Sequence, residues 1–222
     1  STPILIIGES GSGKSRSIAN LPPEETLIVN VIGKDLPFKG WRSKYKPIAG
    51  KTGNIFTTDD YAKISKLFTY VEKERPEIKT LIVDDFQYLM TNEFMSQIPN
   101  KVTGNAVFEK YNNLAYNAWK LIFDSRMYRE DLTIIFLAHS DTDESGKTRC
   151  KTMGKMLNDK VAIEGMFTIV LNTAVDNGQY FFETQTNGFN TTKSPDGMFP
   201  SLRIPNDLNL VVQSIHKYNT EE

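Results

Sequence analysis

The chain has 222 residues, a formal net charge of −1 and a hydrophobic share of 39%. That length suits one α/β domain with a large core better than two small ones. The near-zero charge excludes a global basic field for nucleic acid, so any such surface must be local. A single cysteine, Cys150, excludes an internal disulfide and a Cys-based zinc site and suits a reducing cytosol. No run of eighteen apolar residues and no signal-type opening segment occurs, so the expectation is a cytoplasmic chain with no membrane partner.

Apolar runs alternate with helical patterns, which predicts parallel strands joined by crossover helices. Ile4-Leu5-Ile6-Ile7 reads as a buried strand. It runs straight into Gly8-Glu9-Ser10-Gly11-Ser12-Gly13-Lys14-Ser15, which spells G-x-x-x-x-G-K-[ST], and a helix is expected from Gly13 to about Ala19. Composition yields that pattern by accident in roughly one chain of this length in a hundred, and the flanking strand and helix make accident rarer. Glycines let backbone N–H groups close around phosphate oxygens. Lys14, read as a solvent-facing charge, would neutralise the β- and γ-phosphates, and the Ser15 hydroxyl would ligate Mg²⁺. Residues 8–16, ending in Arg16, are the expected ATP-binding segment.

Pro22-Pro23 ends that helix, and residues 26–31 read as a second strand. Residues 35–54 form a loop or short hairpin in which Lys39, Arg42, Lys44, Lys46 and Lys51 are interleaved with Phe38, Trp41 and Tyr45. Such a pattern either stacks bases and neutralises phosphates or is a solvated loop with its aromatics folded onto the core. Thr58-Asp59-Asp60 caps a helix carrying Tyr61, Ile64, Leu67, Phe68 and Val71 at helical spacing. Residues 80–83 are a third buried strand, placed beside the first, and it ends in Asp84-Asp85. A carboxylate there holds Mg²⁺ through water, a role assigned to Asp84. Asp85 either activates water or N-caps the segment that starts at Phe86.

Helix is expected over 86–105, broken by a loop around Pro99 and Gly104. A long amphipathic helix over 107–128 follows, with Tyr111, Leu114, Ala115, Ala118, Leu121 and Ile122 inward. Residues 132–138 are a fourth strand with His139 at its carboxyl end, where ligands bind open α/β sheets. His139 either senses the γ-phosphate and its attacking water or is a strand-end histidine satisfied by backbone; His216 is expected at the surface. The polar stretch 140–151 and a short helix over 155–163 follow, and Lys147, Arg149, Lys151, Lys155 and Lys160 make this the second candidate for nucleic acid. Asp176-Asn177-Gly178 between two apolar runs is the strongest hairpin signal in the chain. Lys193 lies beyond it, and a terminal helix is expected over 206–217.

The P-loop, the acid-ended strand, the strand-end His139 and the late hairpin together resemble the RecA-like ATPases. Among these the similarity is to short phage proteins that act as single-strand annealing proteins or recombinases. The resemblance implies a single RecA-like α/β domain over residues 1–222, with a mostly parallel central sheet flanked by helices and a late β-hairpin. It further implies ATP and Mg²⁺ as cofactors, hydrolysis involving Lys14, Asp85 and His139, single-stranded DNA as partner through Lys147, Arg149 and Lys151, and a homo-oligomer. The compartment would be the host cytoplasm for a phage-encoded protein. His139 falls where the bacterial recombinase has its sensing glutamine, and 140–151 where that protein has a DNA-binding loop. In oligomeric ATPases of this kind a cation placed as Lys193 is reaches a neighbour's phosphate site. One departure stands out: the recombinase's glutamate after the second strand has no counterpart in Asn30-Val31-Ile32-Gly33. A P-loop small-molecule kinase and a nucleotide-gated interaction module with little hydrolysis remain as rival readings.

Overall fold

Ile4, Leu5, Ile6 and Ile7 are all fully buried, because successive strand side chains point to opposite faces and both faces of this sheet are covered. The computed structural model describes residues 1–96, 105–153 and 162–220. Within them nine strands are joined: β1 (Thr2–Gly8), β2 (Thr26–Asn30), β3 (Ile55–Thr57), β4 (Thr80–Asp84), β5 (Thr133–Thr142), β6 (Thr148–Cys150), β7 (Ile169–Asp176), β8 (Gln179–Glu183) and β9 (Arg203–Pro205). The sheet order is β3-β2-β4-β5-β1-β7-β8-β9, with β6 pairing the outer end of β5. Pairs from β3 to β7 are parallel, whereas β8 and β9 are antiparallel additions.

Helices α1 (Trp41–Lys44), α2 (Tyr61–Glu74), α3 (Gln87–Ser96), α4 (Asn105–Asp124) and α5 (Leu208–Thr220) accompany the sheet. Leu5, Ile7, Phe136 and Ala138 pack with α2, α3 and α4 on one face. Ile4, Ile6, Ile135 and Leu137 pack with Ile18, Tyr45 and α5 on the other. The α2 start is fixed as its sequence signals: the Asp60 carboxylate accepts from Ala62 N at 2.8 Å and Lys63 N at 3.2 Å, a cap worth about 1 kcal/mol. No helix among the described residues is long and apolar enough to cross a membrane.

Several expectations are corrected. The segment after the P-loop is a short 3₁₀ helix, Ser15–Asn20, rather than an α-helix beginning at Gly13. Residues beyond the 35–54 loop supply a further parallel strand, β3, and the loop itself holds only the four-residue α1. The acid-ended strand is not beside the first: β4 pairs with β2 and β5, so β5 separates it from β1. The stretch 140–151 is ordered as a β5–β6 hairpin, and β9 adds an edge strand. The middle helical segment divides into α3 and α4, with 97–104 outside the described residues. Most of the helix expected over 155–163 also lies outside them, and Ile163–Met166 is a 3₁₀ turn.

Candidate functional site

β1 delivers the chain to the phosphate loop at Gly8, and the turn is made by Gly11 and Gly13, whose φ values of +79° and +98° suit only glycine at low cost. Gly8 is required for a different reason. A Cβ there would lie 1.7 Å from Thr173 Oγ1, so β7 presses directly on the loop. Thr173 donates to Ser12 Oγ at 2.6 Å, and Ser12 Oγ donates to the Glu9 carbonyl at 2.6 Å. Gly8, Glu9 and Ser12 thus shape the loop from behind, while Ser10, Gly11, Gly13, Lys14, Ser15 and the exposed Arg16 line a cleft of about 460 Å³.

Lys14 is not solvent-facing. It is only 6% exposed, and its ammonium donates to the carbonyls of Gly8 at 2.8 Å and Glu9 at 2.7 Å. Burial lowers its pKa to about 8, against the opposing pull of Asp85 and Asp84. Ser15 Oγ donates to Asp84 Oδ1 at 2.9 Å, so register carries the acid to the loop despite the intervening strand. Asp84 is fully buried and its second oxygen has no hydrogen-bond partner. Burial, then the neighbouring charge of Asp85, pushes the Asp84 carboxyl up to about 6. A buried, unpartnered carboxylate oxygen is costly, and a cation would relieve it, so Ser15 and Asp84 fit Mg²⁺. No group of three or more His, Cys, Asp or Glu among the described residues could hold a metal alone, so Mg²⁺ here would share its shell with phosphate and water.

Asp85 sits at φ +64°, a left-handed conformation uncommon outside glycine but tolerated by Asp. That turn aims its carboxylate at Lys34, with which it makes a very close ion pair, and at His139, whose Nε2 lies 3.4 Å away. It does not cap α3: the Tyr88 amide is instead taken by the Asp85 main-chain carbonyl at 2.9 Å. Burial pushes the Asp85 carboxyl up, but His139 and Lys34 outweigh it and hold the pKa below the usual range. Burial likewise pushes Lys34 down, yet its bond to Asp85 leaves it net raised.

Lys34 comes from the neighbourhood that lacks an acid. Asn30 folds the turn by donating to the Lys34 carbonyl at 2.7 Å and accepting from the Gly33 amide at 3.0 Å. His139 N donates to the Gln87 side chain at 3.0 Å, and its ring meets Tyr88 edge-on at 6.0 Å. The histidine therefore faces the cleft beside Asp85. Lys34, Gln87, Thr173 and Tyr180 were not singled out by the sequence reading; only the position of Lys34, four residues past a strand end, carried a signal.

The nucleic-acid candidates fare unequally. In the aromatic loop Tyr45 is buried, Phe38 packs edge-on against it at 6.3 Å and Trp41 leans on the same core, so these rings serve packing. Arg42 pairs with Asp35 and Lys51 with Glu74. On the β5–β6 hairpin Lys147 and Lys151 are exposed, Arg149 pairs with Asp143 at 2.7 Å, and Asp141 and Glu144 also face solvent. Lys155 and Lys160 lie outside the described residues. Lys193 pairs its backbone with Val170 of β7 and does not line its own chain's cleft.

A glycine-built loop at the end of a parallel strand, with a hydroxyl-to-acid pair beneath it, defines a P-loop nucleotide-binding protein. Residues 2–195 match the family described as AAA domain, and the chain belongs to that family, a family of nucleotide-binding ATPases. No curated protein matches the chain.

Proposed function

We propose that the protein is a Mg²⁺-dependent ATPase of the cytoplasm whose cleft drives the β5–β6 hairpin, and that the hairpin's partner is single-stranded DNA in phage-type recombination, annealing or replication. The observation that carries this reading is the meeting, in one cleft, of the Ser15–Asp84 pair with Lys34, Asp85 and His139. Bound Mg²⁺·ATP would supply an electrophilic terminal phosphate. Lys14 exchanges the Gly8 and Glu9 carbonyls for phosphate oxygens. Asp85 orients the attacking water and takes its proton, directly or through His139. Lys34 keeps Asp85 ionised but weakens it as a base, so turnover is slow until Lys34 is drawn away.

Support for the coupling comes from chain continuity. β5 runs unbroken from His139 into the hairpin, and the Lys151 amide donates back to the His139 carbonyl at 2.7 Å. A shift of His139 therefore pulls on both hairpin strands. Lys193, outside its own cleft, is the cation we assign to a neighbour's phosphates in a homo-oligomer. The Lys34–Asp85 pair also favours a second reading, a nucleotide-gated module with little hydrolysis. Phosphate release from Mg²⁺·ATP, with and without a single-stranded oligonucleotide, tests both. Stimulation by DNA is expected. Binding without turnover selects the module, transfer of phosphate to a small acceptor selects a kinase, and no DNA affinity at low salt with an ATP analogue removes the DNA partner.

A further inference from the structure

On the side of the cleft away from Lys34, the phosphate loop meets the β8 and β9 edge of the sheet. Tyr180 lines the cleft there and is 44% exposed. Next to it lies Asn206, at the turn between β9 and α5, and the two are tied together: the Asn206 main-chain N–H donates to the Tyr180 main-chain carbonyl at 3.2 Å. Both abut Gly13. A Cβ on that glycine would stand 2.9 Å from Tyr180 Cδ1 and 3.0 Å from Asn206 Oδ1. Neither Oδ1 nor Nδ2 of Asn206 reaches solvent or a hydrogen-bond partner. A carboxamide shut away with both functions unused is rare, because desolvating it costs free energy that nothing here returns.

We propose that Tyr180 and Asn206 form the nucleobase subsite of the cleft and that the base they select is adenine. The proposal rests on the ATP-binding reading above and deepens it. The subsite requires a turn of the Tyr180 side chain about its Cα–Cβ bond that bares the carboxamide and presents the ring as a stacking face. Stacking on an aromatic ring serves any base; the carboxamide adds choice. One donor beside one acceptor matches the N6 amino group and N7 of adenine, whereas the same edge of guanine, O6 and N7, offers two acceptors. The location fits the rest of the cleft: Lys34, Asp85 and His139 gather on the far side of the loop, leaving the Gly13 side for the other end of a nucleotide.

Calorimetric titration with Mg²⁺·ATP, Mg²⁺·GTP and Mg²⁺·tripolyphosphate separates the subsite from the phosphate site. The parent is expected to bind ATP at least about tenfold more tightly than tripolyphosphate or GTP, the effect of one stacked and paired base. Tyr180→Ala should bring ATP down to the level of tripolyphosphate, Tyr180→Phe should not, and Asn206→Leu should erase the preference for ATP over GTP. Tripolyphosphate affinity should stay constant across these three, which also certifies that each variant folds. A parent that binds tripolyphosphate as well as ATP overturns the subsite while leaving the phosphate loop in place. So does a Tyr180→Ala or Asn206→Leu variant that keeps the parent's preferences. A parent that binds none of the three ligands overturns the ATP-binding reading and the subsite with it.

Discussion

Lys34 and Lys14 both line the cleft and are both held by the protein's own oxygens, and each makes a prediction about proton balance. Lys14 has a pKa lowered to about 8 by burial. Phosphate oxygens favour its charged form, so binding a triphosphate returns that pKa toward the ordinary lysine value. Binding must then take up protons when the pH is above about 8, and ATP affinity must fall as pH rises through that value. Titrations in buffers of differing ionisation enthalpy read the uptake directly, and constant heats and affinity from pH 7 to 9.5 would refute it. Lys34 acts on Asp85, whose pKa it helps to lower. Lys34→Gln removes that pull, so the protonation of Asp85 moves to higher pH. The acid limb of the pH–rate profile should move the same way, whereas an unmoved limb would detach Asp85 from turnover.

At the scale of elements, the phosphate loop depends on β7 as much as on its own glycines. Gly8→Ala forces a methyl into Thr173, an overpacking of about 1–3 kcal/mol. Pairing it with Thr173→Ala should recover part of that loss in the denaturation midpoint, because the closest clashing atom, Thr173 Oγ1, is gone while Ser12 Oγ at 2.7 Å and Thr173 Cβ at 3.0 Å still crowd the built methyl. Equal midpoints for single and double variants would show that the pressure is not local. The β5–β6 hairpin carries the corresponding functional prediction. Replacing Lys147, Arg149 and Lys151 by Ala should weaken single-stranded DNA binding, flatten its salt dependence by about one counterion per lost phosphate contact, and leave DNA-free turnover intact. An unchanged salt slope would move the DNA site elsewhere.

These elements also show why some of the site could be read from residues alone. The phosphate loop is contiguous, so Gly8 to Ser15 announce it with fixed spacing, and Asp84 follows from an apolar run that ends in acid. Lys34, Gln87 and Thr173 act across sequence separations of about fifty to more than one hundred and sixty residues, contacting Asp85, His139 and Ser12. No local periodicity encodes such pairings; only the sheet order does. The same limit explains the misplaced third strand: burial pattern identifies β4 as central, but nothing in it says that β5 inserts between β4 and β1. The aromatic loop was ambiguous for the opposite reason, since Phe38, Trp41 and Tyr45 suit a core or a base equally until the fold turns them inward.

For the whole molecule, the six parallel strands from β3 to β7 bring the ends of β1, β2, β4 and β5 to one rim, and every catalytic candidate stands on that rim. The sheet is covered on both faces, so on the proposed reading a change at the rim is not absorbed by bending the core and is passed along β5 to the hairpin. The central claim is that this rim hydrolyses ATP through Lys14 and Asp85. Phosphate release from Mg²⁺·ATP should be measurable for the parent, lost together with nucleotide binding in Lys14→Ala, and slowed at least about tenfold in Asp85→Asn with binding retained, since Asn tolerates the left-handed turn at that position. An Asp85→Asn protein that releases phosphate at the parent rate, or a Lys14→Ala protein that still hydrolyses, would contradict the account.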